Sequence, residues 1–563
     1  MLQRNDLKIP AAPRRLLLWA VLLLLLGATV GHVLARPDEE STGTSRQDFL
    51  DGIKVLGAVY ERVFYNYVDD VNADELLDAG IQGMMDYLDE HSQYLPPTNY
   101  DNLMMSTEGE FGGLGITINV RDHFPTVVSP IEGTPAFLMG VQGGDRIIEI
   151  EGESTFDFSS DEAVKLLRGE PGTPVTITID REGDDKPFPL TIVRDVIKVE
   201  SVPYHFMIDD IGYVRIQNFA RSTTDEVRDA IKALEAQGAR GIVLDLRWNP
   251  GGLLEAACGV SELFLNDGDL IVYTKGRLRN QNRSYFAEDR PGTDLPMIVM
   301  VNGASASASE IVSAAIQDHD RGLVVGQTSF GKGSVQTVFP LSETSALKLT
   351  TAKYYTPSGR SIHKDRHHGE GIDLTEAPAE EEADAVEQPR HEKEKYSTDG
   401  GRTVYGGGGI TPDIEIDQPL LTDFEVALER DYALFQFATK WNAHHEITQD
   451  MTVGDAMLAE FHDFLRTREK LPEYLQVYDL TLNDEILAEE EPYIRRGLRR
   501  EVMRLAFGQE AAYRVGIEED VQLQETLELF KRARTTKELL AAAAEWEAQR
   551  VAEAESKTEE TVH

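Results

Sequence analysis

The stretch that decides the fold of this chain reads Val301-Asn-Gly-Ala-Ser-Ala-Ser-Ala-Ser-Glu-Ile-Val312. It leads from an apolar run through a turn of small residues into a helical stretch that starts at Ser307. A strand, a tight turn and a helix in this order expose a hydroxyl at a helix N-terminus, which favours developing negative charge. Serine-rich turns before helices also serve as plain N-caps, so the turn alone leaves catalysis open.

The same alternation of strand and helix continues on both sides of this turn, from residue 212 to about 356. Short apolar runs indicate buried strands, and the stretches between them have helical spacing. The strand runs are 211–216, 241–246, 297–301 and 322–326, and the helical stretches are 224–237, 254–265 and 307–317. The sequence therefore predicts an α/β core with a mixed sheet covered by helices.

A lysine between glycines, in Phe330-Gly-Lys-Gly333, follows this turn. A lysine acts as a general base only if its pKa falls toward neutrality, through burial in an apolar pocket and distance from carboxylates. The hydrophobic neighbours Phe330 and Val335 suit such burial. The alternative for Lys332 is a solvent-exposed strand lysine.

The sequence pattern is different before the core, between about residues 100 and 195. Five β-rich runs are separated by glycine turns and interrupted by one helical stretch, 160–167. The loop Gly113-Leu-Gly-Ile116 lets consecutive N–H groups converge on a carboxylate, and the following strand offers an edge to an extended peptide. A simple hairpin turn is the alternative for this loop.

The N-terminus carries a targeting signal. Arg14 and Arg15 precede an apolar run over 16–35, which ends in Val33-Leu-Ala35. That run fits either a cleaved signal peptide or a retained membrane anchor. In both cases the positive residues place the rest of the chain outside the cytoplasm, in the periplasm or at the cell surface.

Charge and cysteine content narrow the classes of function. The chain has 98 Asp and Glu against 55 Lys and Arg, a formal net charge of −43, which argues against a nucleic-acid partner. The single cysteine, Cys258, permits no intrachain disulfide, and its apolar surroundings indicate a buried, inert side chain. The histidines His363, His367, His368 and His391 have no zinc-site spacing, and neither a metal nor an organic cofactor is implied.

Six segments follow from these patterns. They are a signal or anchor (1–35), an N-terminal helical region (36–98), a β-rich module (99–196), the α/β core (197–362 and 404–418), a charged, flexible insertion (363–403) and a C-terminal helical region (419–563). The fold class is therefore a multidomain α/β protein with helical ends.

Together these motifs, over about residues 49–416, resemble the C-terminal processing (tail-specific) serine proteases, whose β-rich module is a PDZ domain. In that family the base lysine follows the nucleophile by 25 residues, which selects Ser307 over Ser305 and Ser309. The resemblance implies Lys332 as the base and Gln336 as a third catalytic residue whose amide holds the amine.

The resemblance also implies the residues around this dyad. The Leu246-Arg-Trp-Asn-Pro-Gly-Gly-Leu253 turn supplies the amide of Gly252 to an oxyanion hole that the amide of Ala308 completes. The PDZ loop of Gly113, Leu114, Gly115 and Ile116 would bind protein or peptide substrates by their C-termini. Arg168 is a hypothesised link between an occupied PDZ domain and the active site, with a plain surface arginine as the alternative.

Other interpretations of the sequence stay open. A non-catalytic relative would use the same fold to bind peptides or other ligands. A Ser-His-Asp site would draw on Glu310, Asp318 and His319, but His319 lies in no recognisable motif. A cell-wall Ser-Lys hydrolase would place its lysine three residues after its serine, which no suitable segment does. An activating adaptor, a membrane tether through 16–35 and a homo-oligomer are all compatible with the sequence.

Overall fold

The computed structural model describes residues 46–288, 292–364, 394–545 and 548–549. The expected signal or anchor and most of the 363–403 insertion, with His367, His368 and His391, lie outside these ranges. Within them, no helix is long and apolar enough to cross a membrane. The chain divides into two compact units, residues 1–81 and 82–563.

The first unit contains helix α1 (Arg46–Asn66) and the start of α2 (Ala73–Asp86). The two helices are linked by a hydrogen bond from the Tyr60 hydroxyl to the Ala73 carbonyl. Several apolar residues of α1 are exposed, among them Phe49, Ile53, Leu56 and Val59.

The second unit starts within α2 and continues with β1 (Gln93–Leu95) and α3 (Pro97–Glu108). Helix α3 has Pro97 in its first turn, where a missing N–H costs nothing. The sequence predicted that the N-terminal helical region ends at residue 98 and that β-rich runs start at about residue 100, so this helix was missed. Its far end carries contacts to the core, described below.

The β-rich module contains a small sheet and the expected helix over 160–167, together with a short helix that was not predicted. Strands β2 (Glu110–Gly113) and β9 (Asp195–Lys198) pair with each other. The main sheet has the order β3-β4-β5-β7-β8, with β6 beside β5, so β3 lies at an edge. These elements are β3 (Ile116–Arg121), β4 (Phe124–Pro130), α4 (Pro135–Leu138), β5 (Arg146–Ile150), β6 (Glu153–Ser154), α5 (Ser160–Leu167), β7 (Pro174–Asp180) and β8 (Phe188–Val193).

The α/β core has a six-stranded sheet with the order β10-β11-β12-β15-β16-β21. All pairs are parallel except β10 with β11, and the apolar strands are buried. The elements are β10 (Tyr204–Ile208), β11 (Ile211–Arg215), α6 (Thr223–Ala236), β12 (Ile242–Asp245), α7 (Leu254–Glu262), β15 (Met297–Val301), α8 (Ala308–Asp318), β16 (Leu323–Gly326) and β21 (Ile414–Glu415). The mixed sheet is therefore confirmed.

A second, antiparallel sheet lies beside the first and was not predicted. Its strands are β13 (Leu270–Gly276), β14 (Arg283–Phe286), β17 (Ser334–Pro340) and β18 (Ala346–Tyr355), with β1 on the edge of β18. The register pairs Gln93 with Lys348 across some 250 residues of sequence. This pairing brings the segment before β1 to the loop that carries Lys332.

The end of the expected insertion is folded. Strands β19 (Lys395–Ser397) and β20 (Thr403–Tyr405) form a hairpin. Its turn is bound to the end of α8, because the Asp399 N–H donates to the Asp318 carbonyl at 2.9 Å. Residues 394–403 thus belong to the core, unlike the flexible insertion expected over 363–403.

The C-terminal region consists of helices around two apolar clusters. They are α9 (Asp423–Arg430), α10 (Ala433–His444), α11 (Asp455–Arg466), α12 (Leu471–Val477), α13 (Asp484–Glu489), α14 (Glu491–Phe507), α15 (Gln509–Ile517) and α16 (Val521–Arg532). One cluster is internal to the helices and the other packs Leu523, Leu529 and Phe530 against strands of the parallel sheet. This region also touches the β-rich module, where the Arg121 guanidinium lies 3.5 Å from the Phe435 ring centroid.

Candidate active site

The nucleophile turn follows β15 at the carboxyl edge of the parallel sheet, where α/β proteins place their sites. Ser307 precedes α8 with φ 52° and ψ −109°, a left-handed conformation that costs a non-glycine residue about 1–3 kcal/mol. The fold around it therefore holds a strained serine. Such strain is typical of serine nucleophiles on strand-to-helix turns.

Three serines of this turn differ in what their hydroxyls do. Ser305 Oγ donates to the Leu246 carbonyl at 2.8 Å and Ser309 Oγ to the Asn249 carbonyl at 3.0 Å, and both residues are buried. Ser307 is half-buried, and its Oγ makes no hydrogen bond to any residue that the structure describes. Of the three, Ser307 alone presents a free hydroxyl.

Lys332 lies in the loop between β16 and β17 and is half-buried. Burial lowers its pKa, and the charge of Lys348 lowers it further, while Glu310, Glu90 and Asp89 oppose the shift. No hydrogen bond joins Lys332 Nζ to Ser307 Oγ within the described ranges. The structure thus supplies a lysine that is easier to deprotonate, close to the serine turn but not bonded to its hydroxyl.

Glu310 connects the serine turn to the lysine loop. Its side chain is fully buried and accepts four hydrogen bonds. The donors are the N–H groups of Ser307 (2.8 Å), Gly331 (2.7 Å) and Lys332 (2.9 Å) and the Ser329 hydroxyl (2.5 Å). Tyr354 makes a parallel connection, because its hydroxyl reaches the carbonyls of both Ser307 and Lys332. The sequence predicted neither bridge.

Gln336 stands on β17, and within the described ranges no hydrogen bond joins its side chain to Lys332. Its Nε2 donates to Ser334 Oγ at 2.9 Å and to Thr350 Oγ1 at 3.3 Å. Thr350 Oγ1 donates in turn to Asp89 Oδ1 at 3.0 Å. The amide is therefore held by its own sheet and by the turn before β1.

That turn, residues 89–92, was missed in the sequence. The Asp89 carboxylate accepts from the N–H groups of His91 and Ser92, both at 2.9 Å. His91 is largely buried, and burial together with the charge of Lys332 lowers its pKa to about 4. The Asp-x-x-Ser spacing signals such a turn, but nothing local indicates that it lies beside Lys332.

The glycine turn after β12 lies against the serine. A Cβ on Gly251 would come within 2.8 Å of Ser307 Cβ and 3.0 Å of the Ala308 nitrogen. Gly252 forms a parallel bridge with Phe219 at φ 147°. The N–H groups of Gly252 and Ala308 donate to no group in the described part of the chain. Two free donors thus flank the turn that carries Ser307.

The loop Gly113–Ile116 connects β2 to the edge strand β3. Gly115 has φ 77°, and a Cβ there would lie 2.3 Å from Thr134 Cβ. The loop carbonyls are engaged, since Ala136 N–H donates to Leu114 at 3.0 Å and Thr134 Oγ1 to Gly115 at 3.1 Å. The N–H groups of Leu114 and Gly115 donate to nothing within the described residues.

Arg168 contacts α3, not the serine or the lysine. Its Nη1 donates to Asn102 Oδ1 at 3.1 Å, and its guanidinium lies 4.9 Å from the Phe111 ring centroid. At the other end of α3, the Thr107 carbonyl accepts from Arg221 N–H at 3.1 Å. Arg221 is two residues from Phe219, the bridge partner of Gly252.

The residues of the alternative Ser-His-Asp site are not brought together. His319 bonds to Asp399 Oδ2 and to the Leu270 carbonyl, each at 2.7 Å. Asp318 holds the loop after β18 through Arg360, Thr356 and the Ser358 N–H. Cys258 is buried, and burial raises its pKa to about 12, in line with the inert side chain predicted.

Comparisons with known proteins identify the family. Residues 210–374 match Peptidase family S41, and residues 126–181 match the PDZ domain. The chain is 43% identical to a carboxy-terminal-processing protease of Bartonella bacilliformis over 67% of this chain and 84% of that protein. It is 36% identical to the carboxy-terminal processing protease CtpA of Bacillus subtilis over 58% of this chain and 68% of that protein.

Among solved structures, a photosystem II D1 C-terminal processing protease is 28% identical. The match covers 55% of this chain and 83% of that one, with a TM-score of 0.33. The fold and the two domain matches define a PDZ-containing peptidase. More particularly, the chain belongs to the carboxy-terminal processing serine proteases of family S41.

Proposed function

We propose that this protein is an endopeptidase that captures protein C-termini on its PDZ domain and cleaves with a Ser307-Lys332 dyad. The observation that carries the proposal is the free hydroxyl of Ser307 on a strained turn, flanked by two unbonded N–H groups. An activated serine and a preorganised oxyanion hole are what acyl transfer requires.

The PDZ domain would capture the tail at its edge strand. The unbonded N–H groups of Leu114 and Gly115 suit a terminal carboxylate, which accepts hydrogen bonds and has no donor of its own. The free edge of β3 suits an extended peptide added as a further strand. These features support Gly113, Leu114, Gly115 and Ile116 as the tail-binding loop.

Catalysis would proceed in two acyl-transfer steps. Neutral Lys332 takes the proton of Ser307 Oγ as that oxygen attacks the scissile carbonyl carbon, and the N–H groups of Gly252 and Ala308 stabilise the oxyanion. The ammonium then gives the proton to the leaving amine, and the C–N bond breaks. In the second step water attacks the acyl-enzyme, Lys332 takes its proton, and Ser307 recovers it as the acid product leaves.

The dyad would close when substrate binds. Lys332 Nζ and Ser307 Oγ are not bonded to each other here, and catalytic hydrogen bonds often form only in the substrate complex. Gln336, held by Ser334 and Thr350, would limit the positions open to the lysine amine. Arg168 bonds to Asn102 on α3, and α3 contacts the segment that bridges Gly252. This connection supports the proposed link between an occupied PDZ domain and the active site.

The test is cleavage of an unstructured protein with an apolar C-terminus by the chain starting at Arg36. Ser307→Ala and Lys332→Ala are compared with Ser342→Ala, which removes an exposed hydroxyl far along β17-β18. We expect activity only in the parent and the Ser342 variant, and slower cleavage when the substrate tail is amidated. Full activity in both dyad variants would refute the dyad, and no activity in the parent would favour a binding protein.

A further inference from the structure

The mechanism needs the Lys332 amine close to the Ser307 hydroxyl, but the two residues lie in different segments of the chain. Ser307 precedes α8, and Lys332 lies beyond β16 in a loop that is not part of a helix or strand. A loop of this kind has no regular backbone ladder to fix its position relative to the serine turn. Whatever fixes it decides how close the amine comes to the hydroxyl.

The buried carboxylate of Glu310 bonds to both segments, which are also joined by the hydrogen bond from Phe330 N–H to the Ser305 carbonyl at 3.0 Å and by the Tyr354 hydroxyl. Oε2 accepts from the N–H groups of both Ser307 and Lys332, and Oε1 from Gly331 N–H and Ser329 Oγ. All four partners are donors, so the ionised form satisfies every one of them. Ser329 Oγ also accepts from Ile410 N–H at 2.6 Å, which ties the same carboxylate to the strand end before β21.

We propose that Glu310 is a positioning residue that clamps the backbone of the nucleophile to the backbone of the general base. This role rests on the proposed Ser-Lys mechanism and adds a positioning residue to it. Glu310 has no free carboxylate oxygen for substrate, and its side chain is fully buried, so it acts through Ser307 and Lys332 and not on the peptide.

The charge of Glu310 has a second effect. A buried carboxylate close to an amine favours the ammonium, and Glu310 is the largest of the groups that raise the pKa of Lys332. Lys348 on β18 and Asp89 and Glu90 in the turn before β1 also act on the pKa of Lys332, which itself depresses the pKa of His91. The titratable side chains Tyr354, His363 and Lys364 belong to residues that lie against the same loop. Burial raises the pKa of Glu310 itself to about 6, although all four hydrogen bonds oppose that shift.

Two substitutions distinguish the effect of the position of the Glu310 side chain from the effect of its charge. Glu310→Asp keeps the charge but shortens the side chain by one methylene, so it cannot reach all four donors. Glu310→Gln keeps the length but removes the charge and places an NH2 group against N–H donors. Misplacement of a catalytic group by about 1 Å costs on the order of 100-fold.

The experiment measures kcat, KM and the pH profile of both variants on the tail-bearing substrate, with thermal unfolding as the check of folding. For Glu310→Asp we expect kcat about 10- to 100-fold lower, KM within about twofold, and an unchanged acid limb. For Glu310→Gln we expect a similar loss of kcat and an acid limb at lower pH, since the ammonium of Lys332 loses a favourable charge.

The matched control is Glu501→Gln. Glu501 is also a buried carboxylate with several hydrogen bonds, but its partners are Arg500 and Arg504 in the C-terminal region. It should lose stability without any shift of the pH profile. If the Glu310 variants do not fold, Ser329→Ala removes one of the four donors, and a several-fold loss of kcat at unchanged KM is expected.

The outcomes separate this inference from the dyad. The positioning role would be overturned if the Glu310 variants kept the kcat and pH profile of the parent while Ser307→Ala and Lys332→Ala were inactive. If the Glu310 variants do not fold, the same result for Ser329→Ala would overturn it. In either case the dyad would stand. Full activity in Ser307→Ala and Lys332→Ala would overturn the dyad itself.

Discussion

At the scale of single residues, the lysine determines how activity should vary with pH. Burial and Lys348 lower the pKa of Lys332, so its neutral form is reached below the ordinary value of about 10.4. Because only the neutral amine accepts the serine proton, kcat/KM should rise with pH through this lowered pKa.

The matching variant is Lys332→Arg, which keeps the positive charge but cannot deprotonate in a protein. We expect a loss of kcat/KM of at least about 100-fold, the lower end of what general base catalysis contributes. The measurement is the initial rate between pH 5 and pH 10. An arginine variant with the activity of the parent would show that Lys332 is not the base.

The glycine turn beside the serine gives a second prediction at this scale. Gly251 has φ 102°, and a Cβ there would meet Ser307, Ala308 and the Ala306 carbonyl within 3.0 Å. Gly251→Ala should therefore displace the nucleophile and abolish measurable cleavage. Gly303→Ala in the same turn is the control, since its Cβ would meet nothing within 4 Å. Equal activity of the two variants would contradict the close packing described here.

The sequence predicts Ser307 and Lys332 as the catalytic pair because both lie in recognisable motifs, at the spacing that the family resemblance implies. It did not reach the role of Glu310, since a glutamate three residues after a serine at a helix start usually indicates only a capping box. In this protein Glu310 does accept from Ser307 N–H, but its other three partners include two N–H groups of a loop about 20 residues away. Such non-local partners leave no local signal.

At the scale of elements, the loop Gly113–Ile116, proposed to bind substrate tails, is the part most open to a direct test. Gly115 and Gly133 both have positive φ, 77° and 75°, but only at Gly115 would a Cβ collide with a neighbour, Thr134. Gly115→Ala should weaken binding of a peptide with a free C-terminus by about tenfold or more, whereas Gly133→Ala should bind like the parent. Each affinity is measured by fluorescence anisotropy with free and amidated peptides, on Ser307→Ala protein to prevent cleavage. The tail-binding role would be contradicted by equal affinity for the two peptides in the parent.

Helix α3 is the element that connects this module to the core. Asn102→Ala removes the acceptor of Arg168 on α3, and the contact of Thr107 with Arg221 remains. We expect an unchanged peptide affinity but a smaller ratio between the rates on free-tailed and amidated substrates. If the ratio of the two rates were unchanged, Arg168 would be a plain surface arginine with no role in coupling the PDZ domain to the active site.

Element types were largely predictable, whereas their partners were not. The helix of the β-rich module was predicted over 160–167 and is observed there, because its apolar spacing and its Ser159 cap are local. The pairing of β1 with β18 and the hairpin at 395–405 depend on contacts with distant residues. Helix α3 starts at Pro97, inside the predicted boundary at residue 98, because the first turn of a helix tolerates proline.

At the scale of the whole molecule, helices α15 and α16 of the C-terminal region pack on the parallel sheet of the core. Phe530 is 1% exposed and packs in one cluster with Phe206, Tyr213 and Val243 of the parallel sheet. Arg247, which starts the glycine turn, bonds to the buried Asp245 and also to Asp520 and Gln522 of the C-terminal region. The C-terminal region therefore supports the segment that carries the proposed oxyanion donors.

Phe530→Ala should accordingly destabilise the protease as a whole by about 3–5 kcal/mol, the usual cost of truncating a buried phenylalanine. Phe507→Ala, at a position that is 38% exposed, should cost far less. The measurement is thermal unfolding followed together with residual activity. If Phe530→Ala lost a separate unfolding transition of the C-terminal helices while the unfolding transition of the core stayed unchanged, the helices would fold independently.

The central claim, that Ser307 becomes acylated by the substrate, is tested most directly by trapping the intermediate. The protein starting at Arg36 is mixed with a tail-bearing substrate, quenched in acid within one turnover, and analysed by intact-mass and peptide-mapping mass spectrometry. The proposed mechanism predicts an adduct equal to the N-terminal product less one water, on the peptide that contains Ser307, and absent from Ser307→Ala. An adduct on another residue, or cleavage by Ser307→Ala at the parental rate, would contradict it.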